Sequence, residues 1–333
     1  MDKKDFERNP KFLIIRILEA CDAGCFMCSF RWSKDAYRYP VEQATELAKN
    51  AADAGIRLVR LTGGEPLLHE HIEDLISCFA RQGLLTSIIT NGRALSVKAN
   101  GLARAGLTQV IVSLDGIGAN HDRYRNSPTL FDSAVAGLMR VREEAPHIRT
   151  RVNTVVGRHN YGQLIQLYDQ LCELGVECWS IIPLKTPFGG WSFADRGAAE
   201  AFQDQFVRHV LENPGVKILG HGLNWMGRDA LERGDYFIGR KIMTPRNQCD
   251  LVHQVRYFIP SENQYYVCNC VPHRIDAIRL QQTWTPEALT AKGLGTAGEW
   301  LNINGASKCQ GCEPVNAALG EGLIDVDSDP FGF

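Results

Sequence analysis

Between residues 12 and 185, short β-rich runs alternate with stretches of helical spacing, and this alternation constrains the fold more than any other feature of the chain. The predicted strands are Phe12–Leu18, Arg57–Leu61, Thr86–Ile89, Gln109–Leu114, Arg149–Val155 and Trp179–Ile182. Between them lie amphipathic segments such as Pro40–Ala54, with Val41, Ala44, Leu47 and Ala51 at helical spacing, and His71–Gln82, with Ile72, Leu75, Ile76 and Phe79. Parallel strands need crossovers, and crossovers through helices are right-handed. Six such units therefore predict an α/β fold, a parallel sheet with outer helices curled into a partial (β/α)6 TIM-like barrel. At 333 residues the chain exceeds one average domain of about 100–200 residues, which leaves a smaller appendage after the barrel.

In such folds the chemistry sits at the carboxyl ends of the strands, where the βα loops converge. Four segments follow or end predicted strands and would face one cavity: the Cys21-x-x-x-Cys25-x-x-Cys28 loop, Thr62-Gly63-Gly64-Glu65-Pro66, Thr90-Asn91-Gly92 and Ser113-Leu114-Asp115-Gly116. After Pro183 the alternation stops. Residues 186–192 predict a loop, 195–212 one amphipathic helix carrying Phe202, Phe206, Val210 and Leu211, and 216–247 a mixed, aromatic-rich connection. A β-hairpin is predicted over 255–267, where VRYFIP and QYYVC flank Ser261-Glu262-Asn263. The expected division is a barrel over 10–185, a connecting region over 186–245 and a small hairpin-bearing appendage over 246–325.

Lys+Arg 36 against Asp+Glu 38 gives a formal charge of -2, so no bulk basic field gathers nucleic acid and no such partner is expected. The opening residues, MDKKDFERNPKFLIIRIL, are charged and then apolar for a stretch far shorter than the roughly 20 residues of a membrane span. They also lack a small-residue cleavage site, so a cytoplasmic protein without membrane association is expected. A reducing compartment disfavours disulfides, which makes the placement of the 11 cysteines informative. Cys21, Cys25 and Cys28 crowd near the start, while Cys249, Cys268, Cys270, Cys309 and Cys312 fall in the last third. Cys78, Cys172 and Cys178 lie within helix or strand patterns and are expected to be buried apolar side chains. The two outer groups suggest two thiolate-bound metal centres.

The first group places three thiolates on the loop leaving the first strand, and Gly24 allows that loop to fold around a metal centre. Three ligands on a four-iron cluster leave one iron open. A structural zinc would want a fourth ligand, and His69 and His71 are far along the chain. The CxxxCxxC loop, the Thr62-Gly63-Gly64-Glu65-Pro66 turn at the end of the second strand and the βα pattern together resemble the radical S-adenosylmethionine enzymes over residues 10–185. The resemblance implies that Cys21, Cys25 and Cys28 hold a 4Fe-4S cluster whose open iron chelates the methionine amino and carboxylate groups of S-adenosylmethionine. It also implies a one-electron reductant such as flavodoxin or ferredoxin. Backbone at Gly63 and Gly64 would approach the cofactor closely, and Glu65 or neighbouring carbonyls would accept from its ammonium group. Polar residues at the third and fourth strand ends hold the ribose and carboxylate in this family, which points to Thr90, Asn91, Ser113 and Asp115, with Asn153 at the fifth. Arg125, in His121-Asp122-Arg123-Tyr124-Arg125, would clamp the methionine carboxylate through its planar fork. The plain alternatives are a surface pair of Arg125 with Asp122 and an ordinary capped turn at Ser113–Gly116. The family usually has an aromatic residue just before the third cysteine. Here Met27 stands there, a soft apolar contact for adenine, with Phe26 one position earlier.

The second group resembles the twitch (SPASM-like) appendage of some radical enzymes. In that appendage one auxiliary 4Fe-4S cluster is held by a lone cysteine, a cysteine ending a strand after a turn, and a final CxxC. Cys249, Cys268 and Cys309-Gln310-Gly311-Cys312 fill those places. The turn usually carries Gly five residues before the second ligand; Asn263, which occupies that place, can also adopt the left-handed conformation. Cys270 lies on the same face of an extended strand as Cys268 and is the alternative ligand. A structural zinc would fit the same four thiolates, and a full-length SPASM domain would need more cysteines than these.

Three classes of function remain. The first is tailoring of a sugar or nucleoside in antibiotic or natural-product biosynthesis, resembling the cytosylglucuronate decarboxylases in the stretch from Arg16 to Cys28, or the aminocyclitol dehydrogenases that oxidise a carbinol. The second is a peptide-modifying maturase, which often carries a leader-recognition domain before the barrel; the first strand here begins at residue 12. The third is a non-catalytic iron–sulfur or zinc module. A uronate substrate would call for a cation at its carboxylate, from Lys185, Arg240, Lys241 or Arg246, and for stacking surfaces such as Trp191, Trp225 or Tyr236. His121, His221, His253 and His273 are lone histidines, more in keeping with packing than with chemistry.

Overall fold

The computed structural model describes residues 10–33, 36–184, 196–219, 236–238, 241–243 and 255–266. The barrel elements are β1 (Phe12–Leu18), α1 (Val41–Asp53), β2 (Leu58–Gly63), α2 (Ile72–Ala80), β3 (Leu85–Thr90), α3 (Leu95–Ala105), β4 (Gln109–Ser113), α4 (Ala119–Arg125), α5 (Leu130–Glu144), β5 (Arg149–Val156), α6 (Leu164–Glu173) and β6 (Cys178–Pro183). Beyond them lie α7 (Arg196–Glu212), β7 (Lys217–Leu219), β8 (Tyr236–Ile238), β9 (Lys241–Met243), β10 (Val255–Ile259) and β11 (Gln264–Tyr266). One sheet runs in the order β11-β10-β1-β2-β3-β4-β5-β6-β7, and β8 pairs with β9 separately. Neighbours from β1 to β7 are parallel, as the alternation requires.

Two features depart from the expectations. β7 lies in a stretch expected to be connection, and its pairing with β6 carries the parallel sheet one strand further. The predicted hairpin is present as β10 and β11, with Asn263 in the left-handed region at φ 51. Its first strand does not stand apart from the barrel: β10 lies parallel to β1, from Phe12 opposite Val255 to Ile15 opposite Phe258.

The two faces of the sheet bury different chemistry. Toward the helices, Leu13, Ile15 and Ile17 of β1, Val59 and Leu61 of β2 and Val110 and Val112 of β4 share one core with Leu47 of α1 and with Leu75 and Phe79 of α2. Burying such side chains contributes about 1.5–3 kcal/mol each. α7 adds Phe206 to that core, while Leu211, expected on its apolar face, is half exposed. Cys178 is buried, and Cys78 and Cys172 are partly buried against the core; all three are free thiols. The alternate residues of the strands form a polar layer inside the barrel. Arg60, Ser87 and Gln109 lie in register on β2, β3 and β4. Arg60 Nε donates to Ser87 Oγ at 3.3 Å and Nη2 to Gln109 Oε1 at 3.3 Å, while Ser87 Oγ donates to the same Oε1 at 2.9 Å.

A register shift in β1 between Arg16 and Leu18 starts the cysteine loop. It leaves the Ile17 carbonyl to accept from Tyr39 N at 2.8 Å, and a bridge joins Leu18 to Arg38, so the two arms of the loop are pinned side by side. The end of β2 packs directly on this stem: Gly64 N donates to Leu18 O at 3.0 Å and Glu65 N to Ala20 O at 2.9 Å. A Cβ on Gly64 would overlap the Ala20 carbonyl, and one on Gly63, at φ +141, the Leu18 carbonyl. Both collisions are with backbone, which has no rotamer to escape into. Gly64→Ala is expected to cost about 3 kcal/mol or more of unfolding free energy, read as a lowered urea midpoint of the metal-free chain.

Candidate functional site

At the carboxyl ends of β2 and β3, the buried Glu65 carboxylate gathers three donors. Leu67 N and Thr90 Oγ1 donate to Oε1 at 2.9 and 2.6 Å, and Asn91 N donates to Oε2 at 2.6 Å. Burial pushes this carboxyl up to about 7, against the pull of those hydrogen bonds. Asn91 carries the connection onward: its Nδ2 donates to Asp22 of the cysteine loop at 2.7 Å. Arg93 also pairs with Asp22, at 3.4 Å, and donates to Ser127 and the Pro128 carbonyl. Glu65, Thr90 and Asn91 therefore form a clasp between two strand ends and the thiol loop.

On the opposite flank, α4 closes over the same loop. Gly24 N donates to Arg125 O at 3.1 Å. Arg125 Nε meets Asp115 Oδ2 at 2.7 Å, and Nη1 points at Cys25 Sγ at 4.0 Å. Asp115 is wholly buried; its Oδ1 accepts from Val155 N at 2.7 Å and its carbonyl from Asn160 Nδ2 at 2.6 Å. Burial alone would press the guanidinium down, but Asp115 and the Cys25 sulfur hold Arg125 above its ordinary value. Among the described residues the alternative pair of Arg125 with Asp122 is not made, because Asp122 instead accepts from Thr129 N and Phe131 N at 2.7 and 2.8 Å.

The three thiols sit together: Cys25 is buried with Ala23 and Leu130, and Cys21, Met27 and Cys28 pack against that group. Burial pushes the Cys21 thiol up to about 12 and raises Cys25 as well, although Arg125 pulls Cys25 back. A thiolate in this setting needs a compensating cation. Ser113 and Asn153 are opposite one another on β4 and β5, and Asn153 Oδ1 accepts from Arg151 at 3.1 Å. The structure thus assembles most of the residues expected at this end of the barrel but gives two of them a different place. The Asp115 carboxylate faces inward, engaged by Arg125 and Val155, and is a support rather than a surface for a ligand. Glu65 is likewise spent on three protein donors. The sequence pattern assigns no role to Asp22, Arg93, Asn160 or Tyr124; only Asn160, in a turn-rich stretch after β5, carries a local signal. Cys249, Cys268, Cys270, Cys309 and Cys312, with Lys185, Trp191, Trp225, Arg240, Arg246, His221, His253 and His273, lie outside the described residues. Tyr236 and Lys241 are placed only as backbone positions of β8 and β9.

The Radical SAM superfamily model matches residues 15–171, a span that begins in β1 and ends in α6. Over that span, just under half of its length, the chain is similar to the radical SAM superfamily. Among its curated relatives are a GTP 3',8-cyclase of Campylobacter fetus, 28% identical over 181 residues, 52% of this chain and 55% of that protein. Another is an AdoMet-dependent heme synthase of Nitratidesulfovibrio vulgaris, 25% identical over 179 residues, 52% of this chain and 48% of that protein. The chain spans about half the length of these relatives. Streptococcus suis SuiB bound to S-adenosylmethionine shares the fold at TM-score 0.68 and 16% identity, over 93% of this chain and 72% of that one. No helix among the described residues is long and apolar enough to cross a membrane.

The family implies a 4Fe-4S cluster and S-adenosylmethionine, and the donor set suits them. Among the described residues no three His, Cys, Asp or Glu side chains converge as a single metal ion would require. A cubane takes one thiolate at each of three separate iron corners, which a CxxxCxxC loop provides. The iron charge would relieve the penalty that burial places on the Cys21 and Cys25 thiolates. Close by, the Tyr124 hydroxyl is buried without a hydrogen-bond partner.

His121 is fully buried under this platform. Its Nδ1 accepts from Asp115 N at 3.0 Å, so the proton sits on Nε2, which has no partner among the described residues. Burial, with Arg125 repelling a second positive charge, pushes it down to about 3. The unfolded chain, with an ordinary value of about 6.5, takes up that proton first as pH falls. The contribution of His121 to stability is therefore complete above about 6.5 and is lost progressively toward about 3. His121→Asn, which keeps an acceptor for Asp115 N, is expected to shrink the fall in urea midpoint between pH 7 and pH 5; an unchanged fall would assign the acid sensitivity elsewhere.

Proposed function

We propose that this chain is a radical S-adenosylmethionine enzyme acting on a small molecule of sugar or nucleoside type held at the mouth of the barrel. The observation that carries the proposal is the gathering of Cys21, Cys25 and Cys28 with the buried Arg125 at the carboxyl ends of parallel strands. When bound, the reduced cluster would donate one electron to the sulfonium of S-adenosylmethionine, and the chemistry so supplied is release of methionine with a 5'-deoxyadenosyl radical able to take a hydrogen atom from a substrate carbon.

The residues of the chain hold and orient. Carbonyls of the Gly63–Gly64 turn accept from the methionine ammonium group, since Glu65 is occupied by three protein donors. Among the described residues, Arg125 Nη2 has no partner and is free to meet the methionine carboxylate, with Asp115 as its positioning residue. Ser113 and Asn153, side by side in register, supply polar contacts to the ribose, and Met27 supplies an apolar one to adenine. Thr90 and Asn91 act through Glu65 and Asp22 by fixing the strand ends. A flavodoxin or ferredoxin provides the electron.

In the same proposal, residues 246–325 form a twitch-type domain in which Cys249, Cys268, Cys309 and Cys312 hold an auxiliary 4Fe-4S cluster, with Cys270 the alternative to Cys268. A GTP 3',8-cyclase among the relatives supports a nucleoside-type substrate. The sequence from Arg16 to Cys28 supports decarboxylation of a uronic acid nucleoside, and the twitch-like cysteine pattern supports oxidation of a carbinol as the second reading.

Anaerobically reconstituted chain is expected to carry about eight irons, two clusters of four, and to form 5'-deoxyadenosine when reduced with S-adenosylmethionine. About four irons with zinc present would remove the auxiliary cluster. Cys25→Ala is expected to abolish 5'-deoxyadenosine, and a variant as fast as the parent would overturn the proposal. A panel of uronic acid nucleosides and aminocyclitols, scored for carbon dioxide against ketone, separates decarboxylation from carbinol oxidation.

A further inference from the structure

The end of α4 is joined to the thiol loop more firmly than a carboxylate clamp alone requires. Besides the Gly24 N to Arg125 O bond, the Asn126 side chain fills the space that a Cβ at residue 24 would take. Asn126 itself stands in the left-handed region at φ 47. The Arg125 guanidinium cannot swing away, because Asp115 grips Nε at 2.7 Å and is itself gripped by Val155 N at 2.7 Å. Nη1 is thereby aimed at the Cys25 sulfur at 4.0 Å, a charged N–H beside a prospective cluster ligand in a water-poor setting. Beside it the Tyr124 ring packs edge-on against Phe26, the neighbour of Cys25, with centroids 4.8 Å apart. Its hydroxyl is buried and makes no hydrogen bond among the described residues. Leaving such a donor unsatisfied is costly, a penalty that a sulfur acceptor would remove.

We infer that Arg125, fixed by Asp115, sets the reduction potential of the 4Fe-4S cluster by holding positive charge and an N–H donor against the Cys25 sulfur, with the Tyr124 hydroxyl as a second donor to the cluster. The inference rests on the assignment of Cys21, Cys25 and Cys28 as cluster ligands. Reduction adds one electron and no proton to the cluster, so its negative charge grows by one. A fixed cation at the ligand sulfur stabilises the reduced form more than the oxidised one and raises the potential. The low effective dielectric of a buried site strengthens the effect. Asp115 works in the opposite sense, since its negative charge offsets part of the Arg125 field while holding Arg125 in place.

The test is a redox titration, followed by electron paramagnetic resonance, of the reconstituted full chain without S-adenosylmethionine. Arg125→Gln is expected to disfavour reduction about tenfold, ~59 mV for one electron, whereas Arg125→Lys stays within about threefold of the parent. Tyr124→Phe is expected to lower the potential by about threefold in the same equilibrium, and Asp115→Asn to raise it. A merely structural role would change iron content or stability without moving potentials in opposite directions. Arg125→Gln at full iron content with the parent potential overturns the inference. If Arg125→Gln loads no iron, Tyr124→Phe and Asp115→Asn decide, and parent-like potentials in both overturn it. A parent chain with no reducible four-iron signal overturns the functional proposal and this inference together, whereas normal loading with unmoved potentials overturns the inference alone.

Discussion

The three hydrogen bonds into the Glu65 carboxylate hold the working end of the barrel together. They come from a turn after β2, a side chain ending β3 and the backbone just beyond it. One buried carboxylate thus fixes the relative height of the carboxyl ends of two neighbouring strands. The cysteine loop is tied to this clasp twice, through Asn91 to Asp22 and through Glu65 N to the Ala20 carbonyl. A carboxylate suits the position because it accepts several bonds at once, and no single backbone carbonyl offers that many lone pairs. Its cost is desolvation, which the local donors offset only in part.

Much of the architecture was legible because parallel strands covered on both faces announce themselves as short apolar runs at regular spacing. β1 has the predicted bounds, and β5 differs from them by one residue. β7 was not legible: three residues are too few to show a period, and Lys217–Leu219 acquires its strand character from β6 beside it. The join between β10 and β1 was hidden for another reason. Hairpins are encoded locally, by turn residues such as Asn263, whereas the choice of a parallel neighbour from the far end of the chain is made by packing.

The site divides along the same line. The thiol spacing and the glycine turn are local patterns, and both fall where they were expected. The partners of Glu65 and Asp115 are not local. In the sequence each acidic residue beside a glycine turn looks like a group waiting for a ligand. In the fold, backbone N–H groups and an arginine brought in from elsewhere have already claimed it. The glycines show a related shift: Gly63 and Gly64 lack side chains first of all because the Leu18 and Ala20 carbonyls occupy that space. Inside the barrel the layer of Arg60, Ser87 and Gln109 was masked because each is followed by an apolar residue, Leu61, Ile88 and Val110, in a short run that reads as strand.

The docking of β10 on β1 has a consequence for how the molecule is made. β1 is paired on one side by β2, its near neighbour in the sequence, and on the other by β10, which is synthesised only after every barrel helix. Until then its outer rim, from Phe12 to Ile15, is an open template for any extended segment nearby. A nascent chain of this kind pairs its central strands early and covers the β1 edge late, so products truncated before β10 are the ones most exposed to improper association.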